Sequence, residues 1–237
     1  MDKYLKKIKI HNLLPTIHIN SGSMEAIKWI ALLSMTIDHL NRFFFDTTIY
    51  SAYCAGRLAM PLFAFIFAYN LAQPDALPRG LYSKATQRLL FFGLLATPAY
   101  IAMRQDIWPL NIMFTLAAAT VSLFFYEQGN SRGRLISFSI FLISGPFVEY
   151  LWIGNFFCIT AWFYCKRPSI TRLLTCLVAY LFLGELNGNH WAVLSLVFII
   201  AATKIKIKLP RIRHFFYYYY PAHLWIMYLI RLTFFSP

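Results

Sequence analysis

The chain has 237 residues, of which 59% are hydrophobic and 13% are charged, whereas about 25% of the residues in soluble domains are charged. Aromatic residues make up 19% of the chain, as in lipid-facing helices with aromatic belts at the membrane surface. The net charge of +13 comes from basic residues between apolar segments. No zinc-finger, RNP or long basic-arm motif accompanies them, so we expect no nucleic-acid partner. Together these features predict an integral membrane protein.

The chain opens with a basic lead, residues 1–23, which is predicted to be cytoplasmic. The first apolar window follows this lead and has no small-residue cleavage site behind it. We therefore interpret it as an uncleaved membrane span and not as a signal peptide. Ser23 is the predicted N-cap of the first helix, and residues 24–237 are predicted to form a single transmembrane domain.

Apolar windows of about 17–22 residues predict an all-α, polytopic transmembrane helical bundle with about nine spans. The sixth and eighth windows are short and are expected to be tilted or partly re-entrant. The predicted helices cover about residues 25–45, 57–73, 87–104, 108–126, 134–151, 153–166, 171–186, 190–203 and 214–235.

The distribution of Lys and Arg between the spans predicts the orientation of the chain. Every second connection is rich in basic residues, so the positive-inside rule places the amino terminus in the cytoplasm and the carboxyl terminus outside. The predicted cytoplasmic side includes Arg79, Lys84 and Arg88. The outer connections carry Asp46, Arg57, Arg104, Asp106, Glu149 and Glu185.

Common catalytic and metal-binding motifs are missing from the sequence. The four cysteines form no CxxC pair and lie in or beside apolar segments, so we expect them to pack in the core and expect no metal. Because there is no Walker A loop, HExxH helix or GxSxG elbow, an ATPase, a zincin and a serine hydrolase have no support.

Hydrophilic residues cluster near the outer end of the first predicted span. Asp38, His39 and Arg42 lie within about one helical turn of each other, so the guanidinium can reach either neighbour. Ionisable groups at this depth are costly unless they are paired, which makes a functional site their default explanation. The alternative is a snorkelling cluster at the membrane surface, an explanation that suits Arg42 in particular.

Other polar residues are predicted at the same side of the membrane. Arg57 opens the second span and Asn111 opens the fourth, so we expect both to converge with Asp38 and His39. His223 lies near the midplane in the last span, two positions after Pro221. It is either a functional group or a buried histidine bonded to a backbone carbonyl that the proline leaves free.

The chemistry of these groups leaves two classes of function open. In acyl transfer, a histidine acts as general base or acyl acceptor, an aspartate sets its tautomer, and Arg or Asn stabilises the oxyanion. The same set suits proton-coupled transport, in which an Asp–His–Arg relay titrates near neutral pH.

Five segments in order resemble the TraX family of conjugative-plasmid pilin acetylases. They read "MTIDHLNRF", "AGRLAMPLFAF", "AYNL", "LNIMFTLA" and "FYYYYPAHLWIMYLI". The Asp-His pair, the Gly-Arg that opens the second span and the closing His-Leu carry most of the resemblance. The stretch from about 127 to 210 matches mainly in hydropathy.

The resemblance implies a multi-pass protein of the bacterial inner membrane that acetylates the amino-terminal amine of mature pilin with acetyl-CoA as donor. It implicates Asp38, His39, Arg57, Asn111 and His223, with His39 expected to carry the chemistry and Asp38 to orient it. Arg42 is a candidate substrate-binding residue.

The CoA phosphates are expected at Arg79, Lys84 and Arg88, unless these residues only determine topology. The alternatives to acetylation of pilin are O-acetylation of an envelope glycan, proton-coupled transport and a non-catalytic role in holding pilin in the membrane lipid.

Overall fold

The computed structural model describes residues 14, 16–212 and 214–234, and the regular elements in this part of the chain are all helices, without a β-strand. The α-helices are α1 (Ser21–Phe44), α2 (Tyr50–Gly56), α3 (Ala59–Leu71), α4 (Leu81–Arg104), α5 (Ile112–Glu127), α6 (Ser131–Ser144), α7 (Leu151–Lys166), α8 (Ile170–Asn187), α9 (Ser195–Lys204) and α10 (Phe215–Phe234). Short 3₁₀ turns at Gly145–Phe147 and Trp191–Leu194 precede α7 and α9.

The all-helical prediction is confirmed for the described residues, and the predicted windows each correspond to a helix when α2 and α3 are counted as one broken helix. Two described helices, Tyr50–Leu71 and Ile170–Asn187, are long and apolar enough to cross a membrane. Shorter apolar helices cover Ile112–Glu127 and Trp191–Lys204.

The first helix begins at Ser21, four residues before the predicted start at about residue 25. Asn20 is its N-cap, because its side-chain oxygen accepts a hydrogen bond of 2.6 Å from the Ser23 amide. The predicted cap at Ser23 is therefore wrong, and the Ser23 hydroxyl instead donates to the Ile205 carbonyl. Most of the basic lead, residues 1–13 and 15, lies outside the described residues.

Other boundaries differ from the predicted windows for local reasons. The second helix starts at Tyr50 and breaks at Arg57, so Arg57 lies between two helical segments and not at a helix start. The helix in the fourth predicted window begins later than expected, at Ile112, because Asn111 caps α5. The fifth ends early, since the sequence Gly145-Pro146 forms a 3₁₀ turn after Ser144.

The helices run alternately between two ends of the bundle. At one end, which we call the histidine end, the Tyr53 hydroxyl donates to the Asn187 carbonyl at 2.6 Å and Leu110 pairs with Val148 in an isolated β-bridge. At the opposite end, the basic end, Lys166 forms an ion pair with Glu127. This alternation brings the connections before α2, α5, α7 and α9 to the histidine end.

Small residues allow the helices to approach closely. Ala31, Ala64, Ala68, Ala96 and Ala99 are completely buried, as expected where helix association depends on backbone proximity. Large apolar side chains such as those of Leu33, Phe91, Leu135 and Ile143 point outward and are more than half exposed. The bundle therefore presents an apolar outer surface around an interior that contains polar groups.

Candidate functional site

Two histidines from the first and last helices meet inside the bundle. His39 Nδ1 on α1 lies 2.7 Å from His223 Nε2 on α10, and the two rings are nearly parallel, with an interplanar angle of 7°. His223 is only 5% exposed, whereas His39 is half-buried. The two helices run in the same direction here, because the first turn of α10 packs its Phe215 ring on Trp29.

The hydrogen bonds around this histidine pair assign its tautomers. His223 Nδ1 lies 2.9 Å from the Tyr219 carbonyl, which can only accept, so His223 Nδ1 carries a proton. In a neutral imidazole the other nitrogen is then an acceptor, so His39 donates its Nδ1 proton to His223 Nε2. His39 Nε2 consequently keeps a free lone pair, which is the atom that a base or nucleophile requires.

Tyr219 supports this arrangement and was missed in the sequence. The Thr36 hydroxyl donates to the Leu32 carbonyl at 2.8 Å, so the Tyr219 hydroxyl donates to Thr36 across the 2.8 Å that separates them. The Tyr219 ring lies almost parallel to His223, with centroids 5.2 Å apart. Its spacing of four residues from His223 was the available signal, because such residues share one helix face. Pro221 removes the donor to a different carbonyl, that of Tyr217.

Asp38 forms an ion pair with Arg57 and not with its neighbour in sequence. Arg57 also donates to the Tyr53 carbonyl at 3.2 Å and to Asn187 Oδ1 at 3.3 Å. A Cβ at Gly56 would lie 2.5 Å from Asp38 Oδ1, so glycine is needed before Arg57 for the two helices to approach. The expectation that Asp38 orients His39 is therefore wrong, since the Tyr219 carbonyl does so through His223.

Asn111 and Arg42 do not join the ion pair. Asn111 is fully buried, and its amide donates to the Gly93 carbonyl at 3.0 Å and accepts from the Met113 amide at 3.1 Å. It therefore holds α4 against α5, and its predicted convergence with Asp38 is not found. Arg42 is exposed, although it is close enough to interact electrostatically with His39.

Additional polar groups line the interior of the histidine end. Glu149 and Tyr150 precede α7, and Arg104 ends α4, where its Nη1 donates to the Tyr100 hydroxyl at 2.9 Å. Glu149 lies within electrostatic range of Asp38, Arg42 and Arg104. Sequence reasoning noted Glu149 and Arg104 as outer charges but had no means of directing them inward.

The three predicted CoA-binding residues lie toward the basic end. Arg79 forms an exposed ion pair of 2.7 Å with Asp75, and its hydrogen bond lowers the pKa of that carboxyl group. Lys84 donates to the Arg79 carbonyl at 2.9 Å. Arg88 is half-buried and makes a hydrogen bond with the Tyr217 hydroxyl, so it lies deepest of the three.

The structure describes no group of three or more His, Cys, Asp or Glu side chains, among the residues that it covers, that could hold a metal ion. Two surface cavities of about 400 and 280 Å³ lie away from the histidine pair. The larger is lined by His190 and Trp191 and the smaller by His18 and Lys206.

In the described residues, fold and site together define an all-helical protein with a pair of histidines inside the bundle and an adjacent Asp–Arg ion pair at one end. The profile of the TraX protein family matches residues 23–231, and the chain belongs to this family. The resemblance that the sequence segments indicated is thus confirmed.

A curated relative matches a smaller part of the chain. Protein TraX of Escherichia coli is 29% identical over 125 residues, which cover 53% of this chain and 48% of that protein. The chain therefore spans about half the length of the curated relative in this match. No solved structure matches the chain significantly.

Proposed function

We propose that this protein is a multi-pass N-acetyltransferase of the bacterial inner membrane that transfers acetyl from acetyl-CoA to the amino-terminal amine of mature pilin. The observation that carries the proposal is the histidine pair, because its hydrogen bonds leave His39 Nε2 free as a base within a helical bundle. Membership of the TraX family supports the choice of substrate, since the segments that indicated this family resemble those of pilin acetylases.

The free lone pair of His39 suits direct transfer of the acetyl group. As the amine nitrogen attacks the thioester carbon, His39 Nε2 takes the proton that the nitrogen loses. The new C–N bond forms, the C–S bond breaks, and the proton passes from His39 to the departing CoA thiolate. His223 accepts from His39 throughout and so stabilises the imidazolium that forms between these steps.

Arg57 contributes to the site mainly by position. All three of its nitrogens are bonded, to Asp38, to the Tyr53 carbonyl and to Asn187, although a guanidinium with five N–H groups retains donors beyond these bonds. We propose that a remaining N–H faces the thioester oxygen, with Asp38 holding the guanidinium in place. This role is the one predicted for Arg57, with the roles of the neighbouring residues reassigned.

The donor is proposed to approach from the basic end. Arg88 makes its hydrogen bond to Tyr217, which precedes His223 by six residues, or about 9 Å along α10. A phosphate at this level would leave the pantetheine arm only a short way to the histidine pair. Arg79 and Lys84 are nearer to the entrance, where their charges attract the CoA phosphates.

Charge distribution supports a cytoplasmic position for the basic end. Lysines and arginines cluster in the connections at that end, as the positive-inside rule requires of a cytoplasmic face. The opposite end, which holds the histidine pair, then faces the side on which a mature pilin exposes its amino terminus. The apolar outer surface of the bundle suits contact with lipid.

The first prediction tests the proposed reaction through the intact mass of pilin. Cells that contain this protein should yield pilin heavier by one acetyl group than cells that lack it. Replacing His39 by Ala should reduce transfer from labelled acetyl-CoA in isolated membranes by about 10²-fold or more, because general-base catalysis contributes that much.

His190→Ala is the matched control for this substitution. His190 lies at the same end of the bundle with a side chain that is 57% exposed, and its replacement should leave transfer unchanged. Unaltered pilin mass in the presence of the protein would overturn the proposed function, whereas full transfer by His39→Ala would overturn only the role of His39.

A further inference from the structure

The segment between α6 and α7 is firmly attached to the histidine end of the bundle. Its backbone pairs with Leu110, which donates to the Phe147 carbonyl and accepts from the Glu149 amide, both at 2.8 Å. The Thr115 hydroxyl donates to the Glu149 carbonyl, also at 2.8 Å. Three hydrogen bonds from α5 and its preceding loop thus determine where Glu149 lies.

Two consecutive residues of this segment have left-handed backbone conformations. Tyr150 has φ of 63° and Leu151 has φ of 51°, a conformation that is costly for a residue other than glycine. Gly154 is required nearby, since a Cβ there would lie 2.9 Å from both Tyr150 Cβ and Thr115 Cγ2. Strain of this kind persists where the surrounding structure imposes it, and it is frequent at binding sites.

The strained turn directs Tyr150 toward the Asp38–Arg57 ion pair. Tyr150 is within electrostatic range of Arg57, Asp38 and Glu149, and no hydrogen bond from its hydroxyl is found in the described part of the chain. A tyrosine hydroxyl in such an interior normally has a partner, so this one is available to a bound molecule.

Glu149 also has unused hydrogen-bonding capacity. The other glutamates in the described ranges, Glu25, Glu127 and Glu185, each have a basic group within 4.0 Å, but Glu149 has no such ion pair. The Ile112 amide donates to its carboxylate, whereas an ionised carboxylate offers about four acceptor positions. Glu149 is half-buried, so its remaining positions are open to a molecule in the interior.

We propose that Glu149 and Tyr150 form the part of the site that binds the acceptor, and that they select an amine over a hydroxyl group. The inference rests on the proposed acetyl transfer, because it assigns the acceptor of that same site. The Glu149 carboxylate accepts hydrogen bonds from the α-ammonium group and takes one of its protons, which leaves the neutral amine that attacks the thioester while His39 takes the second proton. The Tyr150 hydroxyl donates to the first peptide carbonyl. Asp38 is already neutralised by Arg57, which leaves Glu149 as the carboxylate for the substrate.

Charge explains why this arrangement favours an amine. An ammonium group brings a positive charge and three donors to the carboxylate, whereas a sugar hydroxyl brings one neutral donor. Hydrogen bonds between charged groups are about twice as strong as neutral ones. A peptide with a free α-amine is therefore the chemical class that Glu149 and Tyr150 fit.

A binding measurement on the full chain in lipid nanodiscs tests this assignment without acetyl transfer. The probes are a short apolar peptide with a free α-amine and its des-amino analogue. The unsubstituted protein should bind the amine peptide about tenfold or more tightly than the analogue, as expected for a charged hydrogen bond. Glu149→Gln should abolish this preference, and Tyr150→Phe should weaken both peptides by a similar factor.

Glu185→Gln is the matched control, because Glu185 lies at the same end with a side chain that is 79% exposed. This variant should keep the full preference for the amine. An unsubstituted protein that binds both peptides equally, or a folded Glu149→Gln variant that keeps the preference, would overturn the inference. Amine-selective binding without any acetylation of the peptide would instead count against the proposed function and leave the amine site in place.

Discussion

The tautomer of His39 is determined by the backbone carbonyl of Tyr219, which acts through His223. His223 donates a hydrogen bond from Nδ1 to the Tyr219 carbonyl, so its Nε2 must accept a hydrogen bond from His39. In the proposed reaction, His223 takes the place of the aspartate that orients the base in a catalytic triad. A neutral acceptor holds the tautomer while adding no permanent negative charge beside the base.

Two replacements of His223 separate its hydrogen bond from its bulk. His223→Phe keeps an aromatic ring but removes the acceptor for His39 Nδ1, so kcat should fall by about 10²-fold. His223→Gln offers a side-chain oxygen to the same proton and should recover part of the loss. The measurement is initial-rate kinetics with labelled acetyl-CoA, and KM for acetyl-CoA should change little.

Equal rates for the Phe and Gln variants would show that His223 only fills space. Thermal unfolding of each variant in detergent provides the control, since both must be folded at the assay temperature for the comparison to count.

The Asp38–Arg57 ion pair connects several helices at the histidine end. Asp38 on α1 binds Arg57 at the break between α2 and α3, and Arg57 continues to Asn187 at the end of α8. Both charged side chains are nearly buried, with exposures of 11% for Arg57 and 15% for Asp38. Since a buried charge left without its partner is strongly destabilising, these elements are held in a single arrangement.

A double-mutant cycle measures this coupling. Asp38→Asn and Arg57→Gln should each lower the free energy of unfolding by about 3 kcal/mol, because each leaves a buried charge unpaired. The double variant should lose less than the sum of the two, with a coupling of about 2 kcal/mol. Denaturant titration in detergent micelles gives the values.

The exposed pair Asp75–Arg79 is the matched control for the cycle. Its side chains are more than half exposed, and surface ion pairs contribute little, so the same replacements there should show no measurable coupling. Additive losses at Asp38 and Arg57 would contradict the importance of the buried ion pair.

Across the whole molecule, charge and chemistry are separated between the two ends. The basic end collects most of the lysines and arginines in the described connections, and the histidine end holds the paired histidines, the ion pair and Glu149. A membrane would keep these ends in different compartments. Acetyl donor and pilin amine would then approach the site from opposite sides.

Cysteine labelling tests this orientation. Glu185→Cys at the histidine end and Gln128→Cys at the basic end are both at exposed positions. A membrane-impermeant maleimide applied to intact spheroplasts should label the first and spare the second, while lysed membranes should label both. The unsubstituted protein, with its four native cysteines, sets the background, and the reverse pattern would show an inverted topology.

Sequence alone determined the kind of elements, their approximate positions and the end of the bundle at which the polar groups lie. Long apolar windows specify helices because a buried backbone must satisfy its own hydrogen bonds, and the alternation of basic connections orders their ends. The ordered segments around Asp38, Arg57 and His223 also indicated the family. The errors in helix boundaries were local, as at Asn20 and Asn111, where a side-chain cap shifted the start of a helix.

Only the tertiary structure decided which polar groups meet. Asp38 and His39 are adjacent in sequence but point about 100° apart around α1, so one reaches Arg57 and the other reaches His223. Hydropathy indicates how far along the bundle a residue lies. It leaves the rotation of each helix about its own axis open, since an apolar helix has nearly the same residue composition on every side. Packing of small residues and ring contacts selects that rotation, and with it the roles of His39, Tyr219 and Glu149.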